Sequence, residues 1–328
     1  MIDLNCARQV LTAEYQEMFD DIVYQRVLGA SKHINMIGQM IESIALHGVG
    51  KNRSTNEIVD DILTITQFFI ETRGKASQAI SNAIHIMIKG LEDVRGMDTK
   101  VAVHKILESK NNYMKEADAA LNQVVIYSVE TAKMMNQILV FDYSSTVDRF
   151  LKQLGTQKQL TILIPESRSI DGGYAFVKTC LDAGHKVKFF PDAAMMYFLK
   201  NCDAAFMGAE TFFPNGTMFN TTGSDIVALI CKEYKIPLYV LTPLIKVDIR
   251  SVYGYQKMLV ENDLKDRLTT HWTPEEKEKT DFICPELLGV DSKYITAYIT
   301  ERGIIPANQV FNVSLNFYNE IKGEVSNG

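Results

Sequence analysis

The chain has 328 residues, 46% of them hydrophobic and 23% charged, with a formal net charge of −6. That length supports two domains, or one large one, with a well-buried core. The acidic balance and the lack of a clustered Lys/Arg run argue against a nucleic-acid groove.

The opening stretch, MIDLNCARQVLTAEYQ, lacks the apolar core of about 7–15 residues that a signal peptide needs. No apolar run approaches the roughly 20 residues that span a bilayer, so a cytoplasmic protein without a membrane partner is expected. Cys6, Cys180, Cys202, Cys231 and Cys284 form no CxxC pair and are expected to be buried, reduced thiols. No histidine has a second one at i+4, so no metal site is expected.

Residues 1–135 predict a helical domain. Glu14 to Val27 carries a helical stripe of Tyr15, Met18, Phe19, Ile22, Val23 and Val27. Ser54-Thr-Asn-Glu57 is a capping box, followed by Ile58, Ile62, Ile65 and Phe69 at helical spacing. Gly74 ends or kinks that helix, Ala76–Ile88 begins another, and Asp98 to Val129 continues the pattern. Near Gln137 the character changes, and residues 136–328 predict a Rossmann-like parallel-sheet domain, so the fold class is α/β with an N-terminal helical domain. Ile138–Phe141, Leu160–Ile164, Val187–Phe190, Ala204–Met207 and Leu238–Leu241 read as buried parallel strands. Helices are expected between them: from Ser145, with Asp148 placed as in a capping box; from Asp171 to Gly184; and from Ser224 to Tyr234. Lys246 to Lys279 reads as loops, with a turn or helix start at Thr273-Pro-Glu-Glu276, and the tail after Lys322 is expected to fray.

Ligands in open α/β sheets bind beyond the carboxyl ends of the strands. Asp142 follows the first strand and either caps the next helix or faces a ligand. Arg168, in Pro165-Glu-Ser-Arg-Ser-Ile-Asp-Gly-Gly173, suits a phosphate or carboxylate, or a surface salt bridge. Asn220-Thr-Thr-Gly-Ser224 heads a helix, where backbone amides and the hydroxyls of Thr221, Thr222 and Ser224 suit an anion and Gly223 leaves room for it. An ordinary capped helix after an Asn215-Gly216 turn is the alternative. Lys246 is either a second cation of the same cleft or a solvated lysine. The Ala193–Leu199 segment serves core packing or an interface. No GxGxxG follows the first of these strands and there is no P-loop, which disfavours a nicotinamide dehydrogenase; no cofactor is implied.

Taken in order, Gly208-Ala-Glu210, Asn215-Gly216 and Asn-x-x-Gly-Ser at 220–224, preceded by Glu-Ser-Arg168 and followed by IPLYVLTPLIK, resemble the family of translation initiation factor 2B alpha, beta and delta subunits. Ribose-1,5-bisphosphate isomerase and methylthioribose-1-phosphate isomerase belong to the same superfamily. The resemblance runs from Arg73 to Pro306 and includes Thr72-Arg-Gly74, Pro191-Asp-Ala193 and Thr300-Glu-Arg-Gly-Ile-Ile-Pro306. It implies phosphate or ligand contacts from Arg73, Gly74, Arg168, Asn220 and Lys246.

The isomerases of this superfamily use a cysteine after the first α/β strand and an aspartate in Gly-Ala-Asp; this chain has Asp142 and Glu210 at those places. Their phosphate lysine is replaced by Thr221, and the proline after Glu-Ser-Arg by Ser169. The resemblance therefore implies a non-catalytic, initiation-factor-like protein that binds a sugar or nucleotide phosphate in a regulatory or assembly role, forming a homodimer or larger oligomer. The alternative is a divergent aldose–ketose isomerase of a phosphorylated pentose, with Asp142 and Glu210 as acid and base.

Overall fold

The computed structural model describes residues 2–27 and 29–322; the expected frayed tail after Lys322 lies outside them. The chain forms two compact units. Among the described residues, the first holds 2–27, 29–119, 245–247 and 316–322, and the second holds 120–244 and 248–315. No helix among the described residues is long and apolar enough to cross a membrane.

The first unit is helical: α1 (Leu4–Gln9), α2 (Ala13–Val23), α3 (Ala30–Gly50), α4 (Thr55–Glu71), α5 (Arg73–Ala76), α6 (Gln78–Met87) and the start of α7 (Thr99–Ala132). The capping box at Ser54 forms: its hydroxyl accepts from the Glu57 amide, and the Glu57 carboxylate accepts from the Ser54 amide at 2.8 Å. The apolar stripe of α4 then buries Ile58, Ile62, Ile65 and Phe69. Phe19 packs on Phe68 and Phe69 at ring-centroid distances of 5.2 and 5.3 Å. A fully buried side chain of this size contributes about 1.5–3 kcal/mol over an exposed one.

The second unit contains the sheet. In chain order its elements are β1 (Gln137–Val140), α8 (Ser145–Gly155), β2 (Thr161–Pro165), α9 (Tyr174–Asp182), β3 (Lys186–Phe190), α10 (Met195–Leu199) and β4 (Ala204–Met207). An antiparallel excursion, β5 (Thr211–Phe212) and β6 (Met218–Thr221), leads to α11 (Ser224–Glu233) and β7 (Leu238–Leu241). After these come β8 (Glu261–Asp263), α12 (Lys265–Leu268), α13 (Pro274–Glu278), β9 (Ile283–Pro285), β10 (Leu287–Val290), β11 (Ala297–Thr300), β12 (Gly303–Pro306) and the start of α14 (Val310–Lys322), whose residues from Asn316 on belong to the first unit.

The central sheet has the order β12-β11-β7-β4-β1-β2-β3, parallel throughout except for β12 at one edge. Leu238–Leu241 is therefore not the last strand: Ala297–Thr300 adds in parallel beside it. At the other edge, β3 exposes Lys186 and Lys188, charges that discourage further pairing. Helix α8 turns Val147, Phe150, Leu151 and Leu154 inward at i, i+3, i+4 and i+7, onto a core shared with Ile138, Val140, Ile162 and Phe206.

Two local expectations need correction. Helix α8 has no capping box: Ser144 is its N-cap without a side-chain bond, and the Asp148 carboxylate accepts instead from Thr179 Oγ1 at 2.5 Å and Lys152 Nζ at 2.7 Å. The capping box forms at Thr273, where Thr273 and Glu276 satisfy each other at the head of α13. Of the five unpaired cysteines, Cys180 and Cys231 are buried, whereas Cys202 and Cys284 are half-buried and Cys6 is exposed.

Candidate functional site

Strands β1, β2 and β3 spread one way from β1, and β4 is laid down on its other side. The loops after β1 and β4 thus flank the point where the strand order reverses, the crevice that open α/β sheets use for ligands. Asp142 leaves β1 and Glu210 follows β4, so the topology places both carboxylates at this point.

Asp142 is buried and sits at φ +57°, left-handed backbone that Asp tolerates better than most residues. Ser167 (φ +51°) and Asp171 (φ +54°), in the loop after β2, share that conformation. Half of the non-glycine residues with positive φ among those described therefore lie in these two loops, and backbone strain of this kind gathers at functional sites. The loop presses closely on the carboxylate. A Cβ on Gly172 would come within 2.1 Å of Asp142 Oδ1, so only glycine fits there.

Hydroxyls hold both carboxylate oxygens: Thr221 Oγ1 donates to Oδ2 at 2.7 Å and Ser167 Oγ to Oδ1 at 3.4 Å. Burial nevertheless pushes the Asp142 carboxyl up to about 6, against the pull of the Thr221, Tyr143 and Ser167 donors and with a further push from the Glu210 charge. Glu210 is half-buried, and its amide donates to Phe219 O at 2.9 Å.

The segment at 220–224 is arranged differently from a bare anion cradle. Asn220 Nδ2 donates to Ser224 Oγ at 3.0 Å, and Thr221 is spent on Asp142. The Thr222 amide donates to Glu286 O at 3.0 Å, continuing the β6–β10 ladder, and its hydroxyl donates to Pro285 O. Gly223, at φ +104°, caps α11, and its amide donates to Asp225 Oδ1 at 3.2 Å. The side-chain amide of Asn220, the Thr221 and Thr222 hydroxyls and the Thr222 and Gly223 amides, expected to meet a phosphate, are thus engaged inside the protein.

Arg168 is half-exposed, 4.0 Å from Glu166 Oε2, and its Nη2 donates to Arg267 O at 3.2 Å. Arg73, Gly74 and Lys246 belong to the first unit. There, Arg73 Nε is buried without a hydrogen-bond partner among the described residues, and the carbonyls flanking Lys246, those of Ile245 and Val247, accept from Asn82 Nδ2 at 2.9 and 3.1 Å.

Three contributors were not singled out in the sequence. Asp192, just after β3, accepts from the Ser167 and Arg168 amides at 2.9 and 2.8 Å and so fixes the loop that carries Arg168. Its Pro191-Asp-Ala193 context was the available signal. Lys257 lies 5.8 Å from the Phe219 ring; burial pushes its ammonium down, while Glu210, Asp248 and Glu286 oppose that shift. Arg267 pairs with Asp171 at 2.7 Å. No local pattern marks either Lys257 or Arg267.

The profile of the initiation factor 2 subunit family matches residues 33–307. Ribose 1,5-bisphosphate isomerase of Thermococcus kodakarensis is 22% identical over 299 residues, 84% of this chain and 91% of that protein. Among solved structures, 5-methylthioribose 1-phosphate isomerase from Pyrococcus horikoshii superposes with a TM-score of 0.76 at 19% identity, covering 96% of this chain and 92% of that one. The translation initiation factor 2B of the same organism gives a TM-score of 0.70 at 18% identity, covering 90% of this chain and 98% of that one.

Proposed function

The chain belongs to the initiation factor 2 subunit family, and from that membership we propose a non-catalytic role: a protein like the initiation factor 2B subunits that binds a phosphorylated sugar or nucleotide as a regulatory ligand, or in assembly. The observation that carries this reading is the state of Asp142. It stands where the resemblance places a catalytic cysteine, and both its oxygens are held by the Thr221 and Ser167 hydroxyls. Thr221 in turn stands where the isomerases carry their phosphate lysine, and it serves the carboxylate instead. A ligand in this crevice meets a buried acceptor and a half-exposed Arg168, with no thiol nucleophile among the residues around Asp142. A homodimer or larger oligomer accompanies this role, as does a cytoplasmic location.

Thermal shift with ribose 1,5-bisphosphate, methylthioribose 1-phosphate, AMP and inorganic phosphate tests the pocket. A ligand at about 100 times its dissociation constant stabilises by about 2.7 kcal/mol. No shift with any of the four refutes the pocket.

One observation favours a second reading. Burial, with a push from the Glu210 charge, raises Asp142 to about 6, where a carboxyl can both give and take a proton, as an acid–base aldose–ketose isomerase requires. A coupled ketose assay decides between the two. Turnover by the wild type that Asp142→Asn and Glu210→Gln both abolish supports the isomerase; full activity in both variants refutes the pair.

A further inference from the structure

Between the end of the turn Ile249–Tyr253 and the start of β10 the chain makes a long excursion through β8, α12, α13 and β9. Its two strands pair with each other, Glu261 with Pro285 through Asp263 with Ile283. It is anchored at its far end, where Pro285 and Glu286 run into the β6–β10 ladder and the Glu286 amide donates to Val260 O at 2.7 Å. Away from that anchor it touches the loop after β2 through two bonds that share one residue. Arg267 O accepts from Arg168 Nη2 at 3.2 Å, and the Arg267 guanidinium pairs with Asp171 at 2.7 Å.

We propose that this excursion is a clasp that withholds Arg168 from the ligand. A backbone carbonyl, Arg267 O, sits on the guanidinium where a ligand phosphate oxygen would sit, and the Arg267–Asp171 ion pair keeps it there. The proposal rests on the pocket reading above, because it names the regulation of that same site. A phosphate is the stronger acceptor for a guanidinium, since a charged acceptor roughly doubles the strength of such a bond and allows two parallel ones. The pair that closes the clasp is weak: the side chains of Arg267 and Asp171 retain 35% and 55% of their exposure. Ligand binding therefore opens the clasp, and the fraction of closed molecules lowers the apparent affinity in proportion.

The clasp has a composition suited to this. Trp272 packs edge-on against Phe282 at 5.4 Å inside the excursion, so its tip holds together when it lifts. The Thr269 hydroxyl donates to Lys265 O at 2.5 Å and closes α12 on itself. Opening thus breaks the two bonds at Arg267 and lets α12, a four-residue helix with little hold of its own, fray, while the Trp272–Phe282 contact keeps the rest of the tip together.

The test uses the full chain as wild type, Arg267→Ala and Asp171→Asn. Asparagine is chosen at 171 because it tolerates the left-handed backbone there. Binding of ribose 1,5-bisphosphate and AMP is measured by calorimetry, and amide exchange of residues 261–271 by mass spectrometry. Both variants are expected to bind about two- to fivefold more tightly, the range that an exposed pair supports. Residues 261–271 are expected to exchange faster in both variants without ligand, and faster in the wild type once ligand is added. Unchanged affinity in both variants, or slower exchange of the wild type with ligand, overturns the clasp while leaving the pocket standing. Absence of binding by all three proteins overturns the pocket reading, and the clasp with it.

Discussion

Replacing Asp142 by Asn separates the burial of this carboxyl from its charge. In the folded protein the group titrates near 6, whereas an unfolded aspartate titrates near 3.8. Between those values the native state holds a proton that the unfolded chain has released, so stability falls as pH rises from about 4 and levels off above about 6. At 1.36 kcal/mol for each pH unit of difference, less the part already lost at pH 4 where the unfolded aspartate is more than half ionised, the ionised carboxyl costs the fold about 2.5 kcal/mol above pH 7 relative to pH 4. Asparagine keeps a similar shape and carries no charge at any pH. Urea unfolding of wild type and Asp142→Asn at pH 4, 5, 6, 7 and 8 isolates the titration of Asp142 together with its coupling to Glu210, because groups that do not interact with Asp142 cancel in the difference. The variant should gain on the wild type by about 2.5 kcal/mol between pH 4 and pH 8, most of it before pH 6. A difference that stays flat with pH shows that Asp142 is not held in a desolvated site, and removes the physical basis of the acid–base alternative.

Thr221→Val removes a donor that stabilises the Asp142 carboxylate, so the midpoint of the pH-dependent loss should move upward from about 6 in the same unfolding series; an unmoved midpoint refutes the Thr221–Asp142 bond. Gly223→Ala places a Cβ 2.6 Å from Phe141 Cζ on backbone at φ +104°, and should cost about 2–5 kcal/mol in chemical denaturation, combining left-handed strain with overpacking. A loss below about 1 kcal/mol means that the turn relaxes without harm. Ser54→Ala dissolves the capping box of α4 and should lower stability by about 1 kcal/mol in a thermal melt, with no effect on ligand binding.

The strands Ala204–Met207 and Leu238–Leu241 were legible because a central parallel strand is buried on both faces, and its sequence shows this as an unbroken apolar run. Strands β11 and β12 escaped the same reading. Alanine and threonine in β11 and the Gly303 that opens β12 dilute their apolar signal, and they are strands because β7 offers β11 a partner edge and β11 in turn offers one to β12. The stretch from Lys246 to Lys279 was read as loops apart from a turn or helix start at Thr273, where α13 begins. Its elements are three to five residues long, too short for periodicity to register.

The site divides in the same way. That Asp142 and Glu210 follow strands is a statement about order along the chain, and the sequence alone makes it; that Thr221 stands where the isomerases carry a lysine is what the resemblance implies. That Asp142 binds Thr221, 79 residues away, and Ser167, 25 residues away, follows from a sheet in which β4 lies on one side of β1 and β2 on the other. The sequence also offered Asn220 to Ser224 as an open anion cradle. Tertiary structure assigned those donors to Asp142, Pro285, Glu286 and Asp225, because a buried polar group without a partner is costly and the nearest acceptor takes the bond. Residue types and their order thus determined which groups stand at the crevice. The distances that the fold imposes between remote segments decided which of them are already engaged, and how strongly the buried carboxyl holds its proton.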